Sequence, residues 1–273
     1  MPVVLKLVGF LTALAAVFGV SYLAGTQSSV LLAPAPTTHE SSFSGLSASA
    51  DGYTVTPAQP RQRPGEDSFV EFRVTGPDGQ AVPGYDQVDG AHLHLVAFRR
   101  DLTGYQHVYP EPGEDASWWA VLNLTPGSWR VVVEFRPAQL GRTVVLSTDL
   151  SVSGDDQPHP LAPPTDRVDV DGLTVALTRG VRADPDSVTT VRVSQQGQPV
   201  TDIQPGHGAL AHAVIVRPTD LGYLHLHAVA TATTGPMMQF TGSPPSPGTY
   251  RLFVEFYHQD RLVVAPFTIA VTQ

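Results

Sequence analysis

Beyond residue 50 the chain alternates short apolar runs with clusters of Gly, Pro, Asp and Gln. The runs at 69–75, 92–99, 129–136, 144–152, 188–194, 250–257 and 262–272 are rich in Val, Leu, Phe and Thr. Such runs, bounded by turn signals like Gly76-Pro77-Asp78-Gly79 and Gln195-Gln196-Gly197, read as β-strands. No 3.6-residue apolar period follows residue 25, so helices are not expected there. Regularly spaced short strands predict an all-β protein of sandwich type.

The pattern repeats. Gly79-Gln80-Ala81-Val82 matches Gly197-Gln198-Pro199-Val200 at an offset of 118, which also brings His94 onto His212, Tyr105 onto Tyr223 and His107 onto His225. PGSWRVVVEF (126–135) matches PGTYRLFVEF (247–256) at an offset of 121. Each copy is about 100 residues, long enough for its own core, so the repeat is a duplicated domain rather than a solenoid unit. The spacing predicts two tandem Ig-like β-sandwiches at 51–153 and 168–273. A linker at 154–167, stiffened by Pro158, Pro160, Pro163 and Pro164, joins them.

The amino terminus breaks this pattern. Residues 7–25 carry no charge and follow Lys6, and nineteen helical residues roughly match a hydrocarbon core of about 30 Å. A cleaved signal peptide and an uncleaved anchor both fit. The length favours the anchor, with residues 1–25 as a single-pass signal anchor and 26–50, rich in Ser, Thr, Ala and Pro, as a flexible spacer. Either way the sandwiches are expected outside the cytoplasm, at the cell membrane or secreted.

Composition removes several function classes. Net charge is −9, which argues against a nucleic-acid partner. The absence of cysteine excludes disulfides, thiolate zinc sites and blue copper. Ten histidines stand out in a chain whose only lysine is Lys6. They cluster in AHLHLVAFRRDLTGYQHVYPE (91–111) and ALAHAVIVRPTDLGYLHLHAV (209–229), each read as strand, turn, strand. Alternation puts His92 and His94 on one face and Leu93 and Leu95 on the other; His225 and His227 likewise share a face against Leu224 and Leu226.

A hairpin symmetric about Pro218-Thr219 sets His212 opposite His225, with His227 diagonal, near enough to share a metal ion. Met237 and Met238 follow closely, and thioether with imidazole suits Cu(I). The candidate metal ligands are therefore His92, His94 and His107 in the first copy, with Tyr109 beside them. In the second they are His212, His225, His227, Met237 and Met238. His207 and His258 are weaker candidates, and His39 and His159 fall in linkers. Glu134 and Glu255, at equivalent places, read as solvent-face partners of Arg130 and Arg251.

GxSxG, HExxH, P-loop and GxGxxG motifs are absent, and Val96 and Val229 stand where an HxHxD metallo-hydrolase needs its aspartate. An enzyme is not expected. The histidine hairpins and the two PG-x-aromatic-R strands resemble actinobacterial membrane-anchored or secreted heavy-metal-binding (YtkA-like) proteins, over nearly the whole chain. The resemblance implies an extracytoplasmic metal-binding role, and the imidazole and thioether donors point to copper as the ion, with zinc as the alternative. It also implies a His-Pro-Glu-like hairpin ending, from which Tyr109-Pro110-Glu111 and His227-Ala228-Val229 both depart. The rival reading is a cell-surface interaction module whose histidines are incidental.

Overall fold

The computed structural model describes residues 43–206, 208–229 and 234–273, with Thr12, Ala15 and Val17 of the amino-terminal segment. Apart from those three residues the expected anchor lies outside the described residues, as do most of the spacer, His39 and His207. Among the described residues no helix is long and apolar enough to cross a membrane.

In the first repeat, β1 (Tyr53–Pro57), β2 (Gly65–Thr75), β3 (Leu93–Arg99), β4 (Gln106–Val108), β5 (Ser117–Leu124), β6 (Gly127–Pro137) and β7 (Val144–Val152) form two antiparallel sheets. Their long strands run β1-β2-β5 and β7-β6-β3-β4, with short edge segments extending both. The second repeat uses β8 (Leu173–Arg179), β9 (Val188–Gln195), β10 (Ala211–Val216), β11 (Tyr223–Ala228), β12 (Met237–Thr241), β13 (Gly248–His258) and β14 (Arg261–Val271). Its strands follow the same plan, β8-β9-β12 and β14-β13-β10-β11. Here the two sheets also join at one edge, where His227 and Ala228 pair with Thr241 and Phe240. The chain is thus two tandem Ig-like β-sandwiches.

Each sandwich has its own apolar interior. Leu93, Leu95, Ala97, Val131, Val133 and Phe135 fill the first with Val70, Phe72 and Leu122. Their counterparts Ala211, Ala213, Ile215, Leu252, Val254 and Phe256 fill the second with Val191, Met238 and Phe240. Alternation would then leave the opposite faces of β3, β6, β10 and β13 in water. They are not: every residue of β3 and of β10 is buried. A third apolar cluster explains this. Val96, Phe98, Leu102 and Val132 of the first repeat pack on Val214, Val216, Leu221, Tyr223 and Phe253 of the second. Tyr105 stacks on Phe253 across the junction, ring centroids 4.3 Å apart. The outward faces of the two histidine-bearing sheets therefore cover one another, so the runs are apolar on both faces, as doubly covered strands must be.

The segment 43–50 differs from the flexible spacer expected there. Ser44 exchanges backbone hydrogen bonds with Tyr223 at 2.9 and 3.0 Å, and Ser47 O accepts from Ser147 N at 2.8 Å. Gly45 sits between Val132 and Tyr223, where a Cβ would stand 3.2 Å from one and 3.3 Å from the other, at a φ of 63°. The segment thereby ties one repeat to the other. The 154–167 linker is also held: Arg99 donates to Asp156 at 2.6 Å, and Leu161 packs on the cluster between repeats.

Candidate metal centre

Where the two covered faces meet, their polar positions meet as well. His94 on β3 and His107 on β4 face His212 on β10 and His225 on β11. Ring centroids are 5.0 Å apart for His107–His212, 5.8 Å for His212–His225 and 6.1 Å for His94–His212. His94, His107 and His212 are 2%, 8% and 6% exposed, so these imidazoles are interior groups shielded from solvent.

The hairpin register differs from the symmetric one drawn from sequence. His225 lies opposite Val214, not His212. Leu221 adopts a φ of 62° and donates to Arg217 O at 2.9 Å, and Arg217 N bonds Gly222 O, so the turn closes later than Pro218-Thr219. A two-residue slip preserves the face, and His212 and His225 still meet.

The carboxylates expected at the solvent face are at the centre of the junction instead. Glu134 and Glu255 are 3% and 5% exposed because the outward faces of β6 and β13 are covered. Arg130 pairs with Asp149 and Arg251 reaches Thr268, so neither serves its neighbouring glutamate. The glutamates reach across. His107 Nδ1 of the first repeat donates to Glu255 Oε1 of the second at 2.5 Å, and His225 Nδ1 of the second donates to Glu134 Oε2 of the first at 3.2 Å. The exchange is reciprocal, as a two-fold relation between repeats requires. The Tyr223 hydroxyl adds a third contact, donating to Glu134 Oε2 at 3.1 Å.

These partners set the protonation of the rings. Burial alone would raise the Glu134 pKa, but His225 beside it, helped by His94 and Tyr223, holds it down to about 2. Burial alone would lower that of His225, but the Glu134 charge and hydrogen bond raise it. His94 goes the other way, because desolvation outweighs everything else around it. Its Nε2 must carry the ring proton, since Val88 O, 2.7 Å away, can only accept. His94 Nδ1 is then a lone pair, and it lies 3.1 Å from His107 Nε2. With His107 Nδ1 committed to Glu255, that contact needs a cation between two lone pairs or a proton on His107 Nε2.

A carboxylate on the outer nitrogen of a histidine, with the inner nitrogen free, is the support that metal-ligating imidazoles carry. Two groups place three ligand atoms within 4.8 Å of one another: Asp89, His212 and His225, and His107, His212 and Glu255. Asp89 reaches the cluster from a tight turn. Val88 and Ala91 exchange hydrogen bonds of 2.8 and 3.0 Å around Asp89-Gly90, both at positive φ, 47° and 82°. In the second copy Gly206 and Ala209 exchange hydrogen bonds of 2.8 and 3.1 Å, and Gly208 abuts the first copy: a Cβ there would fall 2.9 Å from the Asp89 backbone.

Four of the expected ligands thus converge, His94, His107, His212 and His225. His227 lies at the exposed margin, its ring 5.4 Å from that of His225. His92 is exposed and bonds Tyr85 O at 3.0 Å, apart from the cluster. Met238 fills the core of the second sandwich opposite Val191, and Met237 is exposed opposite Arg192. His258 pairs with Asp202, and His159 is solvated beside Asp101. The residues sequence reasoning missed are Asp89, Glu134, Glu255 and Tyr223. One signal was available: Glu134 and Glu255 each interrupt an apolar run, Val131–Phe135 and Leu252–Phe256, at matching places in the two copies.

A model for a domain of unknown function matches residues 48–152 and again 168–273. A search of curated proteins returns no match. Among solved structures, the chain is similar to the FdeC adhesin of Escherichia coli (18% identity, TM-score 0.26), spanning 82% of this chain and 65% of that one. It is similar to the fibronectin(III)-like modules of Clostridium thermocellum CbhA (12% identity, 80% and 93%, TM-score 0.21). InvD of Yersinia pseudotuberculosis gives 11% identity, 82% and 58%, and a TM-score of 0.27. Likenesses this distant bear on none of the chemistry of the cluster.

Proposed function

The chain belongs to the family Domain of unknown function (DUF8832), present here as two tandem copies, and we propose that this member binds a transition-metal ion in the histidine cluster between its repeats. Copper is the ion we favour, with zinc as the alternative, and residues 7–25 would hold the protein at the membrane with its sandwiches outside the cytoplasm. No catalytic step is assigned. The observation that carries the reading is the reciprocal pairing of His107 with Glu255 and His225 with Glu134, which commits the outer ring nitrogens and leaves the inner ones for an ion. The resemblance of the histidine hairpins to heavy-metal-binding (YtkA-like) proteins points the same way. The rival, an interaction module with incidental histidines, is opposed by the burial of His94, His107 and His212, since incidental surface histidines are solvated.

The test is metal analysis and calorimetric titration of the full chain purified without a histidine tag. One equivalent of copper or zinc bound, with a raised melting temperature, is the expected result, because an ion that binds the folded form stabilises it. A protein that purifies empty and takes up neither ion overturns the reading.

A further inference from the structure

The two three-ligand groups compete for His212, and the surrounding hydrogen bonds distinguish them. In the group His107, His212 and Glu255, His107 Nδ1 and Glu255 Oε1 already pair at 2.5 Å, which leaves only Glu255 Oε2, buried without a hydrogen-bond partner, to serve an ion while the same carboxylate orients His107. In the group Asp89, His212 and His225, the ring of His225 is oriented by Glu134, which is not a member, and its Nε2 remains for the ion. Asp89 is exposed, so its carboxylate can approach an ion from the solvent side. We propose, resting on the metal-binding reading above, that a divalent ion is held by Asp89 of the first repeat with His212 and His225 of the second, Glu134 serving as the outer partner of His225.

The donor set decides the class of ion. One carboxylate and two imidazoles are borderline-to-hard ligands that suit Zn(II) and Cu(II), whereas Cu(I) takes soft thioether or thiolate. Neither thioether reaches the cluster: Met238 is in the apolar core and Met237 lies opposite Arg192. The preference for Cu(I) expected from Met237 and Met238 is therefore reversed. Three protein ligands with an exposed carboxylate leave a further coordination position on the solvent side, the arrangement of an open site rather than a closed structural one. Because its ligands come from both repeats, the ion also bridges them, and one copy alone cannot build the site.

The experiment titrates Zn(II), Cu(II) and Cu(I) separately into the full chain and into Asp89→Asn, His225→Ala, Glu134→Gln, His107→Ala and His92→Ala, with circular dichroism to confirm folding. Asn tolerates the positive φ of position 89, so Asp89→Asn keeps the turn. We expect one divalent ion per chain, bound more tightly than Cu(I). Asp89→Asn and His225→Ala should weaken it by at least about tenfold, Glu134→Gln by about 10–100-fold, and His92→Ala by less than twofold. If wild type binds no ion, the metal-binding reading fails and this inference with it. If wild type binds an ion that Asp89→Asn leaves untouched while His107→Ala removes it, the function stands and this assignment is overturned. Tighter Cu(I) than Cu(II) or Zn(II) overturns the ion class.

Discussion

Replacing Glu134 by Gln isolates the charge at the centre of the junction with almost no change of shape. The carboxylate is 3% exposed and accepts from Tyr223 Oη and His225 Nδ1, both on the other repeat. Its pKa falls from 4.5 to about 2 on folding, which corresponds to roughly 3 kcal/mol. That agrees with the ~3–5 kcal/mol lost when one partner of a buried ion pair is removed. Gln keeps one acceptor oxygen, so the lower end, about 3 kcal/mol, is expected, or a fall of about 6–12 °C in Tm for a unit of this size. The pH dependence has a definite sign. A depressed carboxylate stabilises above its unfolded value of 4.5 and loses that contribution as pH falls toward 2. His225, whose pKa is raised, contributes fully below 6.5 and loses its part as pH rises through its folded value. The gap between wild type and Glu134→Gln should therefore be widest between about pH 4.5 and 6.5 and narrow on both sides. Thermal melts by circular dichroism, without metal, measure it. Asp149→Asn is the control, since the Asp149 carboxylate facing Arg130 is 60% exposed and such pairs contribute under about 1 kcal/mol. A gap below about 2 °C, or one equally wide at about pH 3 and pH 5.5, would refute the argument.

Three further outcomes follow from the packing. Gly104→Ala should cost about 2–4 kcal/mol, because φ is 66° and the new Cβ would stand 2.7 Å from Trp129; urea unfolding followed by Trp emission reads it. Phe253→Ala removes the ring that stacks on Tyr105 between the repeats and should cost about 3–5 kcal/mol, with faster proteolysis in the 154–167 linker as the second readout. Met237→Leu with Met238→Leu should leave metal affinity within twofold and cost under about 1.5 kcal/mol, since Met238 is core and Met237 is exposed; a tenfold loss of affinity would return the methionines to the site.

The strands, the duplication and the meeting of His212 with His225 were legible because each rests on periodicity, and period-two alternation survives a two-residue error in register. The burial of the histidine face was not. Val96 and Phe98 alternate with His94 on that face, a composition too apolar for water, yet the leucine face offers a complete core by itself. Nothing local says that a second sheet covers the other side. For the same reason Glu134 reads toward Arg130, four residues back on the same strand face, when its partners are His225 and Tyr223, about ninety residues on. The methionines misled because closeness in sequence stood in for closeness in space: Met238 follows His227 by eleven residues but points into the sandwich interior.

Duplication explains both the symmetry of the cluster and where it breaks. A face that carries His and Glu at matching places can pair with its own copy so that each glutamate meets the other copy's histidine, which His107–Glu255 and His225–Glu134 do. Once two copies are fused in one chain, mutations no longer fall on both sides at once, and equivalent positions are free to differ. They differ where a ligand would be chosen. Asp89 corresponds in sequence to His207, and Tyr109 to His227. The buried imidazoles and glutamates, whose replacement would strand a charge in the interior, are the same in both copies. The first repeat's turn contributes a carboxylate that the matching position in the second cannot, so the two ends of the cluster are chemically unequal. An asymmetric donor set of this kind favours one ion per chain over two alike, and a measured stoichiometry of two would require both ends to bind despite that inequality.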